Sequence, residues 1–250
     1  MRIPIKTKEE INIMRAGGRI LADILETLRK EVCEGISTKY LDEKAEDLIK
    51  KYKVEPSFKN YQGYPACICS SVNEEVVHAI PSLKKILQKG DIISIDCGII
   101  YKGFNLDSTI TTYIEPIPAE TKQFLKNTLK ILDKAISQAI QGARVGDISN
   151  AIEKTAKEYG YSPVRELTGH GVGRKLHEPP QIPNYGKKNT GELLLPGMTL
   201  AIEPIINQGE RYIKTLKDDW TVVTQDDSLS IQVEHTVLIT AKGNEILTKI

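Results

Sequence analysis

Shifted by 107 residues, the chain overlays itself. Gly35 falls on Gly142, Leu41 on Ile148, Ala45 on Ile152, Ile49 on Ala156 and Tyr52 on Tyr159, while GDIISID (Gly90 to Asp96) falls on GMTLAIE (Gly197 to Glu203). One offset that serves two helices and a strand points to a duplicated unit rather than to chance likeness between amphipathic segments. Two like halves, about 7–114 and 119–250, imply a shared cleft between them. No long Gly/Ser-rich or Pro-rich linker separates them, so residues 1–250 read as one continuous domain.

Each half has the same local grammar. Thr7 and Glu10 form a capping box ahead of Met14, Leu21, Leu25, Leu28 and Val32 at helical spacing, and Gly35 stops that helix. A second helix is expected near 37–52, with Leu41, Ala45, Leu48, Ile49 and Tyr52 on one face. Strands follow over about 67–77 and through DIISIDCGIIYKGFNLDSTITTYIE, where Ile, Thr and Tyr dominate and YKG marks a hairpin turn. The second half repeats this with a helix bearing Phe124, Thr128, Leu132, Ala135 and Ile140, a stop at Gly142, a helix over about 147–159, then strands. The class is α+β, with helices packed on antiparallel sheet.

Four acids interrupt these apolar strands. Asp96 and Asp107 lie on opposite arms of the hairpin with a parity that turns both to one face, directly opposite or diagonal. Like charges so placed destabilise a sheet unless a cation lies between them, and a buried carboxylate without a partner is expensive. The repeat sets Glu203, in LAIEPII, where Asp96 stands in the first half, and Glu234 lies in SIQVEHTVLIT. Any one of these acids has an ordinary reading as the buried partner of a lysine or arginine. Four together call for a cation of higher charge, and His170 in GHGVGRKLHEPP supplies a nitrogen. Four carboxylates and a neutral imidazole are neutralised by two divalent ions, and oxygen-rich ligation with one imidazole suits Mn, Fe(II), Co or Zn. GHGVG lacks both the spacing and the Lys-Ser/Thr of a phosphate-binding loop. His235, next to Glu234, is expected on the opposite strand face.

Composition excludes several classes of function. A formal net charge of +1 offers no strong electrostatic case for nucleic acid or a membrane surface as partner. No stretch reaches signal-peptide or membrane-span length, so a cytoplasmic protein is expected. Four cysteines without CxxC spacing are expected as reduced thiols.

HAIP at His78, SIDCG at Asp96, FNLDST at Asp107, TGHGVGRKLHEPPQIPNY from Thr168, LAIEP at Glu203 and DDWTVVTQDDSLSIQVEHTVLIT resemble, in order, the type I methionine aminopeptidases of peptidase family M24. The resemblance covers nearly the whole chain. It implies the pita-bread fold, two pseudo-symmetric halves of helix-covered antiparallel sheet around a central dimetal cleft. It also implies removal of N-terminal methionine from nascent proteins when the second residue is small, by a metal-activated hydroxide.

By the same resemblance Asp96 chelates one metal, His170 and Glu203 bind the other, and Asp107 and Glu234 bridge both. Glu203 shuttles the proton, His177 hydrogen-bonds the oxyanion, and His78 the scissile amide nitrogen. Without the resemblance His78 reads as a satisfied core histidine. The methionine pocket maps onto Tyr61, Tyr64, Cys69 and Trp220, with Phe58 and Leu176; some relatives have Cys where Phe58 stands and Phe where Leu176 stands. Implied partners are nascent N-termini and, transiently, the ribosome, with a monomeric enzyme. A start of Met1-Arg2 is expected to be a poor substrate. Two other readings are a prolidase-type Xaa-Pro exopeptidase, whose members typically carry an extra N-terminal domain, and a non-catalytic ribosome-binding relative that has lost its ligands.

Overall fold

The computed structural model describes residues 3–249; Met1, Arg2 and Ile250, and with them the Met1-Arg2 expectation, lie outside the described residues. Helix α1 (Lys8–Glu31) starts at the expected capping box, where Thr7 Oγ1 accepts from Glu10 N at 3.3 Å and Glu10 Oε2 accepts from Thr7 N at 3.0 Å. Such a cap contributes about 1 kcal/mol. Met14, Leu21, Leu25 and Leu28 are buried on its inner face, while Val32 caps the helix rather than belonging to it. Helix α2 (Thr38–Tyr52) follows, then α3 (Ala119–Gln138) and α4 (Val145–Glu158). Ile140, expected on the third helix, lies beyond its end and is exposed, because the backbone leaves helical geometry at Ala139.

The sequence offset reappears in three dimensions. Gly35 N donates to Leu87 O at 2.9 Å and Gly142 N to Leu194 O at 3.1 Å, each glycine at a positive φ (88° and 86°) that other residues adopt only with strain. The isolated bridge Ser37↔Ile86 has its counterpart in Arg144↔Leu193. Glu55 pairs with Ile100 as Ser162 pairs with Asn207. One difference between the halves matters for the site. The first-half strand runs unbroken over Ile92–Tyr101, whereas its mate divides into Thr199–Ile202 and Ile205–Asn207 around Glu203 and Pro204. Proline has no N–H to give to a ladder, so a strand breaks there.

The stretch expected as strand over 67–77 divides at Asn73 (φ 57°) into Ile68–Val72 and Glu75–Val77, which belong to different sheets. Ile92–Tyr101 and Phe104–Tyr113 form the expected hairpin on a two-residue Lys102-Gly103 turn. Strands Glu55–Pro56 and Ile68–Val72 flank the first of these arms to complete a four-stranded sheet. The second half builds a five-stranded sheet in the order Gly243–Ile246, His235–Thr240, Thr199–Ile202, Thr168–Gly171, Glu178–Pro183. Every pairing is antiparallel.

Two hydrophobic cores follow from this. Leu21, Leu28 and Leu41 pack with Ile93 and Ile95 under α1 and α2, and Phe124, Ile131 and Ile148 pack with Leu200 and Ile231 under α3 and α4. Helices thus cover one side of each sheet. The sheets join where Thr109 and Glu234 exchange backbone hydrogen bonds (3.4 and 3.1 Å), flanked by Thr236 Oγ1 donating to Asp107 O at 2.7 Å and Thr111 Oγ1 to Gln232 O at 2.6 Å. The acids of both halves meet at this seam.

Candidate active site

Asp96 lies mid-strand between Cys69 on one neighbour and Thr109 on the other. Asp107 faces Gly98, two positions from Thr109, so the two aspartates are diagonal on one face. Glu234 occupies the gap between strands Ser230–Gln232 and His235–Thr240, its Oε2 accepting from Thr109 Oγ1 at 3.0 Å. Glu203 sits in the break that Pro204 makes, and Gln232 Nε2 donates to its Oε2 at 3.4 Å. His170, paired with Ala201, brings Nε2 to 3.8 Å from Asp107 Oδ2 and 3.6 Å from Glu203 Oε1. Its Nδ1 lies 2.9 Å from Gly171 O. A carbonyl only accepts, so Nδ1 carries the hydrogen and the Nε2 lone pair faces the acids. One ligand atom each from Asp107, His170 and Glu234 lie within 4.8 Å of one another.

Burial makes this cluster electrostatically unstable on its own. It pushes the Asp96 carboxyl up to about 7 and holds Asp107, Glu203 and Glu234 well above the usual carboxylate range, with neighbouring acids adding to the last three. Burial, then the nearby His177, lowers His170 to about 4, so its imidazole is neutral at neutral pH. Among the described residues the ion-pair-distance contacts of these acids are to His170 alone. Asp96 Oδ1, Asp107 Oδ1 and Glu234 Oε1 are buried with no hydrogen-bond partner at all. Buried oxygens left orphaned beside a free imidazole nitrogen fit divalent cations and little else.

A cavity of about 170 Å³ opens beside the acids. Phe58, Tyr64, Cys69 and Leu176 form its buried apolar wall, with Tyr61 and Trp220 packed against it. Trp220 stands edge-on to Tyr64 with ring centroids 5.0 Å apart. His78 is exposed at the rim, 6.4 Å from the Trp220 ring, and holds a left-handed φ of 58° that a non-glycine residue reaches only at a cost. It is therefore no core histidine. His177 lies 4.3 Å from the His170 ring, and its Nδ1 is 2.8 Å from the Tyr61 hydroxyl. All thirteen residues singled out in the sequence line this one cavity.

Two further lining residues, Gln62 and Gln232, went unnoticed in the sequence. Gln232 stands two positions before Glu234 and so shares its strand face, a signal that was available. Gln62, in a short 3₁₀ turn at φ 50°, carries no sequence signal. His235 turns away as expected, its Nδ1 3.0 Å from Thr248 Oγ1. The glycines around His170 lie where neighbouring strands leave no room for a side chain. A Cβ on Gly169 would stand 2.5 Å from Ala201 O and one on Gly171 would strike Pro179 O, so they are small because neighbouring strands press on them.

Comparison with known proteins gives concordant results. The model of metallopeptidase family M24 matches residues 12–241. The chain is 49% identical over 245 residues to methionine aminopeptidase 1 of Bacillus subtilis, covering 98% of each. It superposes on a methionine aminopeptidase structure from Thermotoga maritima with a TM-score of 0.98 at 42% identity, over 100% of both chains. A prolidase from Pyrococcus furiosus follows at a TM-score of 0.80 and 27% identity, of which the chain covers only 65%.

Proposed function

The chain belongs to metallopeptidase family M24, and from that premise we propose how its own residues carry out the reaction of a methionine aminopeptidase. Its fold is the pita-bread fold and its activity is removal of N-terminal methionine, with divalent metal as cofactor. In our reading Asp96, Asp107, His170, Glu203 and Glu234 would together hold two ions, drawn from Mn, Fe(II), Co or Zn. The observation that carries this is the set of three buried carboxylate oxygens without partners, on Asp96, Asp107 and Glu234, in a cluster where Asp107, Glu234 and His170 each bring a ligand atom within 4.8 Å of the others.

When bound, such ions supply Lewis acidity, readying water to attack at neutral pH and polarising the scissile carbonyl. Glu203 takes the proton from that water and delivers it to the leaving amine. His177 stabilises the oxyanion from Nε2: its Nδ1 is engaged by the Tyr61 hydroxyl at 2.8 Å, and the tautomer in which that hydroxyl donates leaves the hydrogen on Nε2. His78, at the rim, hydrogen-bonds the scissile amide nitrogen. The methionine side chain fills the wall of Phe58, Tyr61, Tyr64, Cys69, Leu176 and Trp220, where a flexible, polarisable thioether packs well against aromatic edges.

The substrates are nascent chains with a small second residue, met in the cytoplasm by a monomer that associates transiently with the ribosome and needs neither membrane nor specific nucleic acid. Among the described residues no helix is long and apolar enough to cross a membrane. The prolyl reading is disfavoured by the weaker likeness to a prolidase (27% identity, TM-score 0.80) than to a methionine aminopeptidase (42%, 0.98), and a binding-only reading by the presence of all five candidate donors around one cavity.

Metal-free protein should be inactive, and adding Mn, Fe(II) or Co should restore release of Met from a Met-Ala peptide but not from a Met-Arg peptide. Preferential cleavage of Ala-Pro peptides in that assay would overturn the assignment in favour of a prolyl enzyme.

A further inference from the structure

His177 stands at the end of a turn, residues 172–177, that links strands Thr168–Gly171 and Glu178–Pro183. The first part of that turn is clamped from the other half of the molecule. Asn105 donates to Gly173 O through its backbone N (2.7 Å) and through Nδ2 (3.1 Å). The last part is held by an ion pair that nothing above explains. Lys6 Nζ lies 2.6 Å from Glu178 Oε2, with side chains only 3% and 4% exposed. The second oxygen, Oε1, accepts from Lys175 N at 3.1 Å, so one carboxylate braces the backbone on both sides of Leu176 and His177. Lys6 is itself fixed by its own N–H donating to Gly197 O at 2.9 Å. A Cβ on Gly173 would strike the end of the lysine side chain, so Lys6 packs directly against the turn.

A buried ion pair is weak evidence of stability, because removing two charges from water costs about as much as their attraction returns. An apolar pair of like volume would serve the fold as well. What the pair adds is direction: a charged carboxylate fixed by an ammonium on one oxygen holds a backbone N–H on the other at a set place and angle. We propose that Lys6 is a positioning residue for His177, holding the histidine turn against the site by neutralising Glu178 inside the fold. The proposal rests on the oxyanion role given to His177 above.

The test is steady-state kinetics on a Met-Ala peptide at saturating Mn, with Lys6→Met, His177→Ala and the two combined. Lys6→Met should lower kcat roughly tenfold and leave KM within about threefold, because an oxyanion bond is made only in the transition state. In the His177→Ala background the same substitution should change kcat by no more than about twofold, since Lys6 acts through the histidine. A merely structural lysine would lower kcat by one factor with and without His177, and that result overturns the proposal, as does a Lys6→Met enzyme at wild-type kcat. Wild-type kcat in His177→Ala alone would instead sink the oxyanion assignment, and this proposal with it. Should Lys6→Met not be recovered folded, Lys6→Met/Glu178→Gln leaves no buried charge and keeps an oxygen for Lys175 N. With no ammonium to fix that oxygen, the enzyme should still lose kcat about tenfold, and no more than about twofold in the His177→Ala background; a natively folded double variant at wild-type kcat would refute the positioning role.

Discussion

Glu203→Gln should lower kcat about a thousandfold while leaving the fold and the methionine pocket as they are. The amide has the shape of the carboxylate, so it keeps the break at Pro204 and an oxygen for the contact from Gln232 Nε2. It loses the capacity to take a proton and hand it on. Its wall of cavity remains, so KM for a Met-Ala peptide should stay within about threefold. The measurement is kcat at metal saturation, with metal content determined on the same sample, because the substituted group is also assigned as a ligand. A fully loaded Glu203→Gln enzyme within tenfold of wild type would remove Glu203 from proton transfer.

The second large effect is on stability. Without metal, Asp96 titrates near 7 in the folded chain against roughly 4 when unfolded, and Asp107, Glu203 and Glu234 are displaced in the same direction. At these four acids the folded state therefore holds more protons than the unfolded state across that interval. The contribution of these four acids to the stability of the metal-free protein accordingly falls as pH rises from about 4 to about 7, by on the order of 4 kcal/mol for Asp96 alone, while His78, His170 and His235, held down to about 4 by burial, contribute in the opposite sense over the same interval. Carboxylates displaced downward, such as Glu26 at about 2 beside Arg29, act below that window and do not alter its sign. Divalent metal binds the ionised oxygens and releases their protons, so it reverses the trend. The gain in Tm on adding Mn should be larger at pH 7.5 than at pH 5. A gain in Tm on adding Mn that is independent of pH would argue that these carboxylates do not form the metal site.

Much of this site is legible in the chain itself, for a local reason. The parity of Asp96 and Asp107 across a two-residue turn already turns both to one face, since alternation is a property of the strand and needs no tertiary information. The same logic excludes His235. The 107-residue offset brings Glu203 into correspondence with Asp96 before any coordinates are known. Gln232, two positions before Glu234, carries no comparable signal, because a neutral amide announces no chemistry. The short strands and the shift at Ile140 were less legible, because single turns at Asn73 and Ala139 are decided by packing rather than by periodicity.

By itself the sequence determined the repeat, the helices and strands of each half, and the five candidate donors with the histidines beside them. Only the tertiary structure decided how the halves meet: Thr109 bonds Glu234 from a strand 125 positions away, and Lys6 reaches Glu178 across 172. It also decided why the glycines around His170 are small, which is the pressure of Ala201 and Pro179 from adjoining strands. Periodicity is written by neighbours along the chain. Contact across a seam with no connecting hairpin depends on the packing of both halves at once, and no local pattern encodes that.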